Sequence, residues 1–291
     1  MRVDKILPYL YIAPFFVFFF TFFAFPFAYS IWLSFTRTKI GAPFAFVGLS
    51  NYWRLIHDDL FWNGLMTCIK IGLIQVPLNI GLSLLIALML NTGLRGSRIF
   101  RTLIFLPVAT SLVVAAIVWI QFYGTRWGLI NQILRYFGLP EIDFLGKQII
   151  PALVNVMNWR YLGWNVVIFL AGLSSLPTEV YESAKIDGAG RFRTFWYITL
   201  PLLKPTFAFI LFFSIIGVFG LFAEPYVLTS GTGMHGQRAR ATETVAMYLY
   251  DVAFRYGNYG YSAAISWVLF IITFVLSFTL IKYVRIWEIE R

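Results

Sequence analysis

Charge is what this chain has least of. Only 12% of its 291 residues are Asp, Glu, Lys or Arg, against 59% hydrophobic and 20% aromatic, and the mean hydropathy is +0.76. A soluble domain of that size has too little polar surface to cover so much apolar area. Cysteine is nearly absent: Cys68, in an apolar run, has no partner for an intrachain disulfide. His57 and His235 are far apart and have no metal-ligand spacing around them. No Gly-x-x-x-x-Gly-Lys-Ser/Thr phosphate loop occurs, which excludes nucleotide binding of that kind. The apolar runs hold no His/Asp/Glu cluster, paired carboxylates or Ser/His pairing, which argues against an intramembrane enzyme. The first apolar run is too long for a signal-peptide core and lacks an A-x-A site.

What is abundant is long apolar runs of about 20 residues, the signature of membrane helices. They predict six spans, at about 9–35, 66–90, 102–123, 150–172, 204–224 and 261–284. The fold expected is an all-α polytopic helical bundle, one domain over 1–291. The net charge of +10 fits basic residues at span ends facing anionic lipid headgroups better than it fits nucleic acid. Residues 36–64, 124–147 and 225–260 are expected to be outer loops. The short loop Asn91 to Arg101 carries Arg95, Arg98 and Arg101 without an acid, which argues for the cytoplasm. Lys and Arg are about twice as dense on that side, which also holds residues 173–203, so both termini are expected inside.

Polar residues inside these spans are the candidate transport residues. Gln75, Asn79 and Ser83 recur at i, i+4, i+8, on one helix face. Either they bond neighbouring helices together or they line a polar path. The fourth span is the most polar, with Asn155, Asn158, Trp159, Arg160, Trp164 and Asn165. Asn155, Asn158, Leu162 and Asn165 share a stripe that must face protein or a watery cavity. Amides beside aromatic rings suit sugars, whose hydroxyls hydrogen-bond and whose C–H faces stack. The alternative is interhelical packing with interfacial tryptophans. Glu224 is the acid nearest a span interior, a functional candidate unless it sits in water at the outer interface.

The stretch 173–203 interrupts the apolar blocks with strong helix signals. Pro177 suits a first helical turn, and Glu179 and Glu182 favour the positive end of the helix dipole. Asp187-Gly188 is expected to stop this helix, and a second is expected from Phe192 until Pro201 removes a donor.

Within it, Glu182-x-Ala184-x-x-x-Gly188, nine residues, then Ile198-x-Leu200-Pro201 resembles the EAA loop of ABC importer permease subunits, with Ser183 in place of the usual first Ala. Phe46-Val47-Gly48-Leu49-Ser50-Asn51-Tyr52, Gly128-Leu129-Ile130-Asn131, the run from Tyr226 to Gly233 and Thr242-Glu243-Thr244 resemble further segments of the carbohydrate-type permeases. Members often read G-G-G-P where this chain reads Gly231-Thr232-Gly233-Met234. The resemblance is to the maltose/glycerol-phosphate branch, and it implies import of a di- or oligosaccharide or sugar-like polyol by alternating access. It implies a second related permease, two ATPase subunits, an extracytoplasmic solute-binding protein and a bacterial or archaeal cytoplasmic membrane. ATP and Mg belong to the ATPase, and no cofactor is expected on this chain. Docking on the ATPase falls to Glu182, Ser183, Ala184, Asp187, Gly188, Ile198, Leu200 and Pro201. Two alternatives stay open: an ABC permease for a non-sugar solute, and an ion-coupled secondary transporter. The latter usually needs ionisable residues near the midplane, where only Glu224 and Arg160 qualify.

Overall fold

The computed structural model describes residues 3–41, 43–92, 96–230 and 242–289. Arg95 and Gly231-Thr232-Gly233-Met234 lie outside the described residues. The chain begins with α1 (Val3–Phe19), a π turn (Phe20–Ala24), α2 (Phe25–Ser34), a two-stranded ribbon β1 (Thr36–Arg37) and β2 (Ala45–Phe46), and α3 (Ser50–Ile56). Then come α4 (Asp59–Asn91), α5 (Ser97–Phe105), α6 (Leu112–Tyr123), α7 (Leu129–Tyr136) and α8 (Ile149–Ser174). Next are α9 (Thr178–Ile186), α10 (Arg191–Thr194), a π turn (Phe195–Thr199), α11 (Leu200–Leu202), α12 (Lys204–Phe219) and α13 (Ala223–Ser230). Last come α14 (Val245–Tyr250), a π turn (Asp251–Arg255) and α15 (Tyr259–Ile289).

Contacts group the chain into two units, residues 1–62 with 248–272 and residues 63–247 with 273–291. In the first unit, phenylalanines four apart stack along one helix: Phe15 on Phe19 at 6.1 Å, Phe19 on Phe23 at 5.3 Å and Phe23 on Phe27 at 6.3 Å. The segment 36–64, expected as plain loop, instead contains β1, β2, α3 and the start of α4. Asn51 makes this possible: its Nδ2 donates to the carbonyls of Ser34 and Thr36, fastening α3 to the end of α2. Asp58 caps α4 by accepting from the Leu60 N–H at 3.0 Å. The other carboxylate oxygen of Asp58 accepts from the hydroxyls of Tyr248 and Tyr261. The Arg54 guanidinium lies 4.1 Å from the centre of the Tyr261 ring.

In the second unit, Ile71, Ala116, Tyr123, Leu153, Val156, Leu221 and Leu228 form one buried cluster, and Ala87, Val166, Phe169, Leu203 and Ile210 anchor another. α8 is the common member. Two of its glycines permit close crossing: a Cβ at Gly163 would meet the Ile104 carbonyl oxygen at 2.2 Å, and one at Gly172 would meet Thr206 Oγ1 at 2.5 Å.

Three helical stretches are long and apolar enough to cross a membrane, 9–34, 59–91 and 259–280, among the described residues. Three bent pairs raise the number to six if each is one span. The pair Ser97–Ala109 and Leu112–Tyr123 bends by 100°, so the third span is not the continuous helix expected over 102–123. Pro107 enters a 3₁₀ turn over Leu106–Ala109, and Thr110 and Ser111 are extended at ψ 143° and 140°. The fifth span likewise stops at Phe219 rather than near 224, and α13 starts after it. The segments 124–147 and 225–260, expected as outer loops, are not simple loops, since they carry α7, most of α13, and α14 with its π turn.

Candidate functional site

Between α8 and α12 the chain folds into two short helices. Pro177 stands just before α9, as its N-cap, rather than inside its first turn. Asp187 is the C-cap, and Gly188 turns the chain with φ +72°. The Gly188 N–H donates to Lys185 O at 3.1 Å and the Ala189 N–H to Ala184 O at 2.8 Å, the two bonds of a Schellman motif. The second helix is expected to end at Pro201, and it does not. Helical structure runs through Leu202, because the π turn over Phe195–Thr199 has already interrupted the i→i−4 ladder where proline lacks its donor. Tyr181 and Thr199 hydroxyls meet at 3.0 Å and tie the two helices together. Ala184 is buried at this junction, and Ile198, Leu200 and Pro201 are half-buried. Glu182 is exposed, and the Ser183 hydroxyl donates to Glu179 O. Ile186, Phe192 and Tyr197 are largely exposed, an apolar surface on an otherwise polar loop.

The polar residues of the spans divide into two groups. In the first, Asn79 on α4 is 1% exposed and binds three neighbours. Its Oδ1 accepts from Asn165 Nδ2 at 2.7 Å and from Ser83 Oγ at 3.3 Å, and its Nδ2 donates to Asn158 Oδ1 at 3.0 Å. This network joins α4 to α8. Asn155 donates to the Tyr123 hydroxyl at 2.8 Å, and Trp159 packs edge-on against Trp119.

The second group surrounds a cavity of about 360 Å³ between α4, α8, α12 and the broken third span. Gln75, Arg160, Tyr161, Trp164, Asn165 and Ser214 supply its polar and aromatic lining. The geometry therefore brings Gln75, Trp164 and Asn165 to one space, and leaves Asn79, Asn155, Asn158 and Trp159 outside its lining. Glu224 stands just behind it. It is 2% exposed and not in interfacial water, and it accepts from the Tyr161 hydroxyl at 3.1 Å. Tyr161 and Ser214 were missed as lining residues. The Arg160-Tyr161 pair within the most polar span was the available signal.

A two-helix loop fastened by fixed glycine geometry stands beside helices around a largely apolar cavity that carries a few polar groups. The family model for the inner membrane component of binding-protein-dependent transport systems matches residues 79–285. The chain belongs to that family. The permease is 36% identical over 282 residues to the arabinooligosaccharides transport system permease protein AraP of Bacillus subtilis, covering 96% of this chain and 88% of the relative. It is 33% identical over 288 residues to the trehalose/maltose transport system permease protein MalF of Thermococcus litoralis, covering 98% and 95%. Its fold matches a chain in the crystal structure of a bacterial alginate ABC transporter in complex with alginate pentasaccharide-bound periplasmic protein. There the TM-score is 0.82 at 20% identity, over 96% of this chain and 94% of that one. The permease is thus a membrane subunit of a binding-protein-dependent ABC transport system rather than an enzyme.

Proposed function

We propose that this permease imports a di- or oligosaccharide or sugar-like polyol by alternating access, through the cavity between α4, α8 and α12. The observation that carries the reading is the lining: the amides of Gln75 and Asn165 beside the rings of Tyr161 and Trp164. Amides match hydroxyls, and rings match the C–H faces of pyranoses. The relatives named for arabinooligosaccharides and trehalose/maltose support the same cargo class.

The reading includes a second related permease, two ATPase subunits that hold ATP and Mg, and a solute-binding protein outside. ATP closes the ATPase dimer, the docked loop 173–203 moves with it, and the spans open outward to receive sugar. Hydrolysis resets them inward. Rigidity in the loop is what such transmission requires, and the Schellman closure at Gly188 with the Tyr181–Thr199 bond supports it. In this scheme Glu182, Ser183, Ala184, Asp187, Gly188, Ile198, Leu200 and Pro201 form or hold the ATPase contact. Both termini are cytoplasmic on the density of Lys and Arg.

The test is uptake by the reconstituted complex in proteoliposomes. ATP-driven uptake that survives an uncoupler is expected. Uptake that needs an ion gradient and no ATP would make this a secondary transporter, and robust uptake by the lone subunit would remove the partners.

A further inference from the structure

The cavity presents a cation and no counter-charge. Arg160 lines it, and none of the other lining residues is acidic. Glu224, the acid behind it, does not reach the cavity, because Tyr161 stands between. The Tyr161 hydroxyl donates to Glu224, while its ring centre lies 4.9 Å from the Arg160 guanidinium carbon. Arg160 forms no ion pair among the described residues. Its Nη2 donates to the Thr110 carbonyl at 3.4 Å, a long bond, and its Nε has no partner. A guanidinium has five N–H donors in a planar fork that matches an oxyanion. Held at the wall of a largely apolar cavity, it attracts an anion far more strongly than it would in water. The remainder of the lining suits an uncharged ring: Trp164 and Tyr161 offer faces, and Gln75, Asn165 and Ser214 offer hydrogen bonds.

We propose that Arg160 is a specificity-determining residue that selects an anionic sugar or sugar-like polyol, its guanidinium meeting the cargo's carboxylate or phosphate. This rests on the cavity being the transport path. It adds the charge of the cargo, which neither the loop motif nor the amides indicate. Arg160 keeps its bonds to Thr110 and the Tyr161 hydroxyl, and the donors not engaged there turn to the cargo.

The experiment measures direct binding to the whole purified complex in nanodiscs without the solute-binding protein, so that selection by that protein does not intervene. Three probes are compared by calorimetry: a uronic-acid trisaccharide, its carboxyl-reduced neutral counterpart, and sn-glycerol 3-phosphate. The wild-type complex is expected to bind at least one anionic probe about tenfold or more tightly than the neutral one, as a charge-assisted hydrogen bond commands. Preference for the uronate identifies a carboxylate, and preference for glycerol phosphate a phosphate. Arg160→Gln is expected to abolish that preference, so that the anionic probes bind no more tightly than the neutral one, and Arg160→Lys to keep part of it. Retention of the ATPase subunits on purification shows that the variants assemble. No preference in the wild type, failure of both anions to bind, or a preference that survives Arg160→Gln overturns the proposal. Trp164→Ala separates this from the path itself. If it weakens all three probes while Arg160→Gln alters none selectively, the path stands and the charge selection falls. If it changes none of them, the cavity is not the path and both readings fall.

Discussion

The N–H of Ala189 donates to the carbonyl of Ala184 at 2.8 Å, closing a loop whose turning residue, Gly188, holds φ +72°. Nothing lies within 4 Å of a Cβ built at Gly188, so a side chain there meets a backbone penalty and no steric wall. Gly188→Val is expected to cost about 1–3 kcal/mol locally, Gly188→Ala less, and Gly188→Asn least, because Asn tolerates the left-handed region. All three should reach the membrane. ATPase retained on the purified complex and sugar transported per ATP should fall in the order Asn, Ala, Val. Equal coupling in all three would mean that the turn does not transmit force.

Asn79 binds Asn158, Asn165 and Ser83, so Asn79→Leu strands buried polar groups on two helices. The expected loss is about 1–3 kcal/mol, seen as a lower Tm of the detergent-solubilised complex. Asn158→Leu should likewise lower Tm without changing the concentration for half-maximal uptake, since Asn158 does not line the cavity. An altered half-maximal concentration at unchanged Tm would place this network on the path.

Gly163 marks where α8 crosses α5 at the distance of a backbone carbonyl. Gly163→Ala puts a Cβ where it meets Ile104 O at 2.2 Å, so the helices must separate. Overpacking of this kind costs about 1–3 kcal/mol. A drop in Tm of several degrees is expected, with cargo affinity altered as well, because Arg160 lies one turn away. A Tm within one degree of the parent would show that the crossing is loose.

Asp58 gives a pH dependence. Partial burial works to raise its pKa, yet hydrogen bonds from Tyr248, Tyr261 and the Leu60 and Phe61 N–H groups outweigh this and hold it below the usual aspartate value. A depressed carboxylate stabilises the fold above its unfolded pKa, and that contribution is lost as pH falls through the lower folded value. Tyr248 shows the opposite: burial first, then the Asp58 hydrogen bond and charge, raise its pKa. Its contribution is complete below the unfolded value near 10 and fades as pH climbs through the higher folded one. Asp58→Asn should lower Tm at neutral pH and flatten the decline below about pH 4. A decline identical to the parent's would remove Asp58 from the account.

The two-helix segment 173–203 was legible because its information is local. Gly188 needs its φ for a turn made by its own neighbours, and the spacing from Glu182 to Pro201 follows from two short helices. The break in the third span was less legible: Pro107 signals it, but prolines at Pro14 and Pro77 leave their helices intact. Whether a proline breaks a membrane helix depends on what satisfies the backbone groups that the break exposes, and for the Thr110 carbonyl that donor is Arg160, fifty residues away. The cavity was least legible. The stripe Asn155, Asn158, Asn165 is real in sequence, but which members face space depends on where α4 and α12 pack. α4 engaged both Asn158 and Asn165 through Asn79, and of the stripe only Asn165 also borders the cavity beside Trp164.

The broken third span also bears on the order in which the chain is assembled. At about 1.5 Å per residue, the twelve residues of α6 extend about 18 Å, well short of a hydrocarbon layer of about 30 Å. The Thr110 carbonyl at the break has its donor in Arg160, and the close crossing needs Gly163. Neither exists until synthesis has passed residue 163. A nascent chain ending before α8 therefore holds two half-spans set at about a right angle with an unmet carbonyl at their corner, which favours the interface or the insertion machinery over lipid. Seating of this segment becomes a late event in synthesis, set by the arrival of α8 and not by the hydropathy of residues 102–123.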